Sequence, residues 1–130
     1  MKRNAIFVLL LLLLGPASRA EEVELERWLR HMRTSLPVAL CERGTAIRTC
    51  FSLTQQQCEL GIASAARSCI ADMKPDLPKA VRLPDQGNKL GGNIGDCTAN
   101  AYAAANKSKY VASEACTAAR SEAQEAERPK

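Results

Sequence analysis

Apolar positions recur with a helical period along most of the chain, and the period breaks at a few marked places. Leu25, Trp28, Leu29, Met32 and Leu36 fall at i, i+3, i+4, i+7 and i+11, one stripe on one helix face. Glu21, Glu22, Glu24 and Glu26 crowd the start of this stripe, where a helix dipole favours anions. The pattern predicts a helix beginning at residue 21, with Glu26 and Arg30 placed to pair across one turn. Pro37 removes a backbone donor and predicts a kink or interruption, and Gly44 is the stop. The stretch from Thr45 to Phe51 supports no more than a short helical turn.

A second helix is announced by Thr54 with Gln57, the spacing of a capping box. Its stripe is Cys58, Ile62, Ala65, Ala66, Cys69 and Met73. Residues 74–88 hold Pro75, Pro78, Pro84 and Gly87 and read as a linker, pinned to the core by Leu77, Val81 and Leu83. A third helix follows with Leu90, Ile94, Cys97, Ala101 and Ala104 on one face. Beside that face lies a run of small residues, Gly91, Gly95, Ala99 and Ala103, which lets another backbone approach. Asn106 to Lys109 is read as a turn into a fourth helix over 110–127, and the polar tail beyond Ser121 is expected to fray. The expected fold is all-α, a small disulfide-stapled domain of two antiparallel helical hairpins, 21–73 and 89–127, joined by the Pro-rich linker 74–88.

The leader changes the picture of where this domain works. Lys2 and Arg3 precede ten apolar residues, Ala5 to Leu14; Gly15 and Pro16 break the run, and Ser18 and Ala20 supply the small residues of a cleavage site. That is the layout of a secretory signal peptide over residues 1–20, and the apolar run is half the length of a membrane span. No other stretch could cross a bilayer. Cleavage would leave one domain, 21–130. It would also remove three of the 18 Lys and Arg while keeping all 14 Asp and Glu, so the charge falls from +4 to +1. The basic balance is therefore partly a property of the leader, and no nucleic-acid partner is indicated.

Export into an oxidising compartment makes disulfides the expected state of the six cysteines, Cys41, Cys50, Cys58, Cys69, Cys97 and Cys116. Cys41 with Cys69, and Cys50 with Cys58, share almost one midpoint, as two bridges closing one helical hairpin would. Cys58 and Cys69 lie three turns apart on one helix, about 16 Å along its axis, and cannot bond to each other. The geometric expectation is Cys41–Cys69, Cys50–Cys58 and Cys97–Cys116. The nested pattern resembles, at motif level, the twin Cys-x(n)-Cys helical hairpins. Their two spacings are equal; here they are eight and ten, and Gly44 falls inside the first. The resemblance covers Cys41 to Cys69 and implies a fold without an activity.

Little else carries chemistry. The cysteine spacings lack the close pairs of a zinc site, and no Cys-x-x-Cys is present, so neither a metal nor a redox cofactor is expected. His31, the single histidine, falls at the edge of the first stripe and is read as a surface residue. Gly91-Gly92-Asn93-Ile94-Gly95 fails the dinucleotide fingerprint and is read as a site of close helix packing. Trp28 and Met32 are core residues by default and candidate contacts for a partner protein if exposed. No catalytic residues are assigned, and an enzyme is not expected. The sequence is read as a periplasmic or extracellular, non-enzymatic protein that binds another exported protein. Small helical periplasmic inhibitors and toxin-immunity proteins are similar in size, export and stapling. The alternative is a carrier of a small apolar ligand, with room left by the Ala and Gly side chains. Partner, ligand and oligomeric state are not fixed by the sequence.

Overall fold

A computed structural model describes residues 20–129. Apart from Ala20, the leader assigned to residues 1–20 lies outside them. The elements in order are β1 (Glu21–Glu24), α1 (Leu25–Leu40), α2 (Ala46–Cys50), α3 (Gln55–Met73), β2 (Ala80–Leu83), α4 (Asp85–Ala105) and α5 (Glu114–Ala126). Single 3-10 turns occupy Lys74–Asp76 and Lys107–Lys109. The small helical, disulfide-stapled domain is as expected. Helix α3 lies between α1 and α4 and packs on both. Their apolar faces enclose one core: Leu25, Trp28, Leu29 and Leu36 from α1, Ile62, Ala66 and Ile70 from α3, Ile94 and Tyr102 from α4, and Val81 from β2.

Local signals hold where they are strongest. Thr54 and Gln57 form the reciprocal capping box that opens α3: Gln57 N–H donates to Thr54 Oγ1 at 3.2 Å and Thr54 N–H to Gln57 Oε1 at 3.0 Å. Thr45 caps α2, its hydroxyl oxygen accepting from Arg48 N–H at 3.3 Å. Gly44 sits at φ +90°, a backbone conformation that side-chain-bearing residues rarely adopt, and makes the break between α1 and α2. Helix α1 runs through Pro37 and ends at Leu40.

The expected first helical turn is instead a strand. Residues 21–24 pair antiparallel with 80–83, Val23 opposite Val81, and Leu25 N–H donates to Lys79 O at 3.0 Å where α1 begins. An acidic run suits a helix start, but here its backbone groups pair with a segment some sixty residues away, a contact that helical periodicity does not register. The linker is correspondingly not a linker throughout. It holds β2, whose Val81 is fully buried, and α4 begins at Asp85 inside it, with Gln86 Oε1 accepting from Arg82 N–H at 2.8 Å. The buried residues of α4 are Gly87, Ile94, Thr98 and Tyr102, while Ala101 and Ala104 of the expected stripe are exposed. In an Ala-rich helix alanine marks no face, so Tyr102 sets the rotation.

All three expected pairings are corrected. The bridges are Cys41–Cys58, Cys50–Cys116 and Cys69–Cys97. The break at Gly44 separates Cys41 from Cys50. Cys41, at the end of α1, meets Cys58 at the start of α3. Cys50, on α2, turns away toward α5. Cys69 lies further along the same buried stripe of α3 as Cys58, and this stripe also faces α4 and Cys97. The turn after Asn106 exists, but α5 does not fold back on α4; residues 110–113 carry it across to α2. Two bridges therefore tie the halves together, and the second hairpin does not form.

Gly61 in α3 shows how closely the helices meet. A Cβ there would fall 2.7 Å from Cε2 of the buried Tyr102 ring. Glycine to alanine inside a helix ordinarily stabilises by up to about 1 kcal/mol, whereas overpacking costs roughly 1–3 kcal/mol. Gly61→Ala is expected to destabilise the fold, and Gly92→Ala, with nothing within 4 Å of its Cβ, to stabilise it. Urea denaturation reads both signs; equal gains would show that the Tyr102 ring yields without cost.

Candidate functional site

The small-residue run on α4 divides into two parts. Gly91 and Gly95 face α1: a Cβ at Gly91 would lie 3.6 Å from Met32 Cε and 3.8 Å from Trp28 Cζ2, and one at Gly95 would lie 3.9 Å from Leu36 Cδ2. This is the close packing expected of them. Both lie inside α4, so the glycine cluster offers no free helix start for an anion. Ala99 and Ala103 continue the run beyond α1. There they line a groove whose other wall is α2, through Ala46, Ile47, Cys50 and Phe51.

This groove is open, mostly apolar and about 720 Å³ in volume, within the usual size of small-molecule sites. Phe51 anchors it. Its ring meets Tyr102 edge-on at 5.6 Å and Tyr110 edge-on at 5.6 Å. The backbone fixes the same corner: Phe51 and Tyr110 form an isolated β-bridge, Ser52 N–H donates to Lys109 O at 2.9 Å and Val111 N–H to Cys50 O at 2.8 Å. Asn100, Lys107, Tyr110 and Arg120 are its exposed polar or charged lining residues. Arg120 Nη1 donates to Tyr110 Oη at 3.5 Å, and that hydroxyl lies 3.6 Å from Cys116 Sγ.

Behind the groove, burial pushes the Tyr102 phenol above its ordinary pKa, with the Arg48 charge opposing the shift. Arg48 Nη1 donates to Leu53 O at 2.7 Å, so this guanidinium fastens the segment after α2. Far from it, Lys74 donates to Glu26 and holds that exposed carboxyl below its ordinary range. Among the described residues no group of three or more His, Cys, Asp and Glu is placed to hold a metal, and no helix is long and apolar enough to cross a membrane.

Of the candidate site residues read from sequence, only Cys50 lines the groove. All six cysteines are in bridges. Trp28 is 6% exposed and packs in the core, so its indole is not a surface anchor. Met32 is half-buried beside it, and His31 is exposed on α1. No motif or spacing in the sequence marks the groove residues Phe51, Lys107, Tyr110 and Arg120. The signal that pointed there was the continuation of the small-residue run into Ala99 and Ala103.

The sequence model of a family described as "T2SS substrate NttA" matches residues 22–110. The chain belongs to this family. No curated protein and no solved structure matches it. The family is one of secreted proteins, in agreement with an exported, oxidised domain. Its matched region runs from Glu22 in β1 to Tyr110 and contains two whole bridges, Cys41–Cys58 and Cys69–Cys97. Cys116 and α5, which bring Arg120 to the groove, lie beyond the match.

Proposed function

We propose that this protein is a secreted, non-catalytic binder of a small apolar ligand, held in the groove between α2 and α4. The description of its family as type II secretion substrates supports a route through the periplasm to the medium, with the leader over residues 1–20 serving the first step. The observation that carries the ligand reading is the groove itself. Its floor is alanine, its wall is Ile47 and Phe51, and its volume is about 720 Å³. Transfer of apolar surface out of water supplies roughly 25 cal/mol per Å² buried, without any directional chemistry. Burial of the Trp28 indole in the core removes one candidate contact for a partner protein.

The test is to fill the groove. Ala103→Trp places a large ring on the floor from a half-buried position. Binding of a neutral apolar dye such as Nile red is expected to be lost, while far-UV circular dichroism stays unchanged. Undiminished dye binding in a folded Ala103→Trp protein would move the site elsewhere.

A further inference from the structure

Two cations from separate segments line the groove. Lys107 stands on the turn after α4, and Arg120 stands on α5, which the Cys50–Cys116 bridge holds against α2. Among the described residues the one ion pair is Glu26 with Lys74, so neither groove cation has a carboxylate partner. Two like charges lining one apolar groove make its potential positive and favour an anionic ligand over a neutral or cationic one. A guanidinium also presents parallel N–H groups that match a carboxylate.

Resting on the apolar-groove reading above, we propose that the ligand is a straight-chain carboxylate. Its hydrocarbon lies along Ala99, Ala103 and Phe51, and its carboxylate sits between Lys107 and Arg120. Tyr110 contributes by holding Arg120 through its hydroxyl. The Cys50–Cys116 bridge is then a positioning element, because it fixes α5 and hence Arg120.

Calorimetric titration of the full oxidised protein with decanoate and with decanol tests this. The two probes share a chain and differ in charge. Arg120→Gln and Lys107→Gln are each expected to lower decanoate affinity about five-fold while leaving decanol unchanged. Cys50→Ser combined with Cys116→Ser should behave like Arg120→Gln. The wild-type preference should shrink as salt is raised. A decanoate-to-decanol affinity ratio that is the same in the wild type and both charge variants would overturn the carboxylate assignment and leave the apolar groove standing. If neither probe binds the wild type, both fail.

Discussion

Trp28→Ala is expected to cost about 3–5 kcal/mol, near the top of the range for an aromatic core deletion. The indole is 6% exposed, and the surface it meets on α4 includes two glycines. A Cβ at Gly87 would lie 3.5 Å from Trp28 Nε1, and one at Gly91 would lie 3.8 Å from Cζ2. Glycine has no side chain to swing into the space the ring vacates, and the backbone of a helix tied by Cys69–Cys97 moves little. The cavity therefore stays open, and the cost of deletion depends on how far a site can collapse. Against a typical total of about 5–15 kcal/mol for a small domain, that loss is a large share of the stability and should lower the urea midpoint strongly. Urea denaturation measures the loss. Wild-type emission from this single tryptophan should be blue-shifted and shielded from quenchers. A loss below about 1 kcal/mol would mean that the α1–α4 contact is loose.

The second large effect concerns the bridges, and here the structure reverses what chain length alone would rank. Loop-closure entropy scales with the logarithm of the residues enclosed. It gives roughly 4 kcal/mol for Cys50–Cys116, which spans 66 residues, and roughly 3.5 kcal/mol for Cys69–Cys97, which spans 28. Yet Cys69–Cys97 joins the two helices that pack most extensively, and neither can leave without opening the core. Helix α5 buries only Cys116 and Ala119 and rests on α2. Without its bridge, a 13-residue helix with so little buried surface is marginal. It can let go while α1, α3 and α4 remain packed, so the folded state also regains entropy. The paired alanine variant at Cys69 and Cys97 is expected to lose about 3–4 kcal/mol of global stability. The pair at Cys50 and Cys116 should lose less and should show unprotected amides across residues 114–126 by hydrogen exchange. A larger global loss for the Cys50–Cys116 pair, with α5 still protected, would contradict this.

The chain by itself determines the helical period of α1, α3 and α4, the capping box at Thr54, the break at Gly44 and an oxidised, stapled domain. Each of these depends on residues within a few positions of one another. Membership of a secreted family agrees with the export reading. What the sequence left open depends on contacts between distant segments. The pairing of Glu21–Glu24 with Ala80–Leu83 is invisible to local periodicity, because a segment with three acidic residues suits a helix start as well as a strand. Disulfide partners follow from where α2 and α5 pack, and spacing along the chain cannot report that. Nested midpoints require Cys41 and Cys50 to face one helix, but the turn at Gly44 sends them to two. The groove has the same origin. Its small residues are a visible run on α4, but only the packing of α2 makes Ala99 and Ala103 one side of a groove. Lys107 and Arg120 are ordinary surface charges in the sequence. Tertiary structure places both on the lining of one apolar groove, because a bridge closing 66 residues brings α5 there.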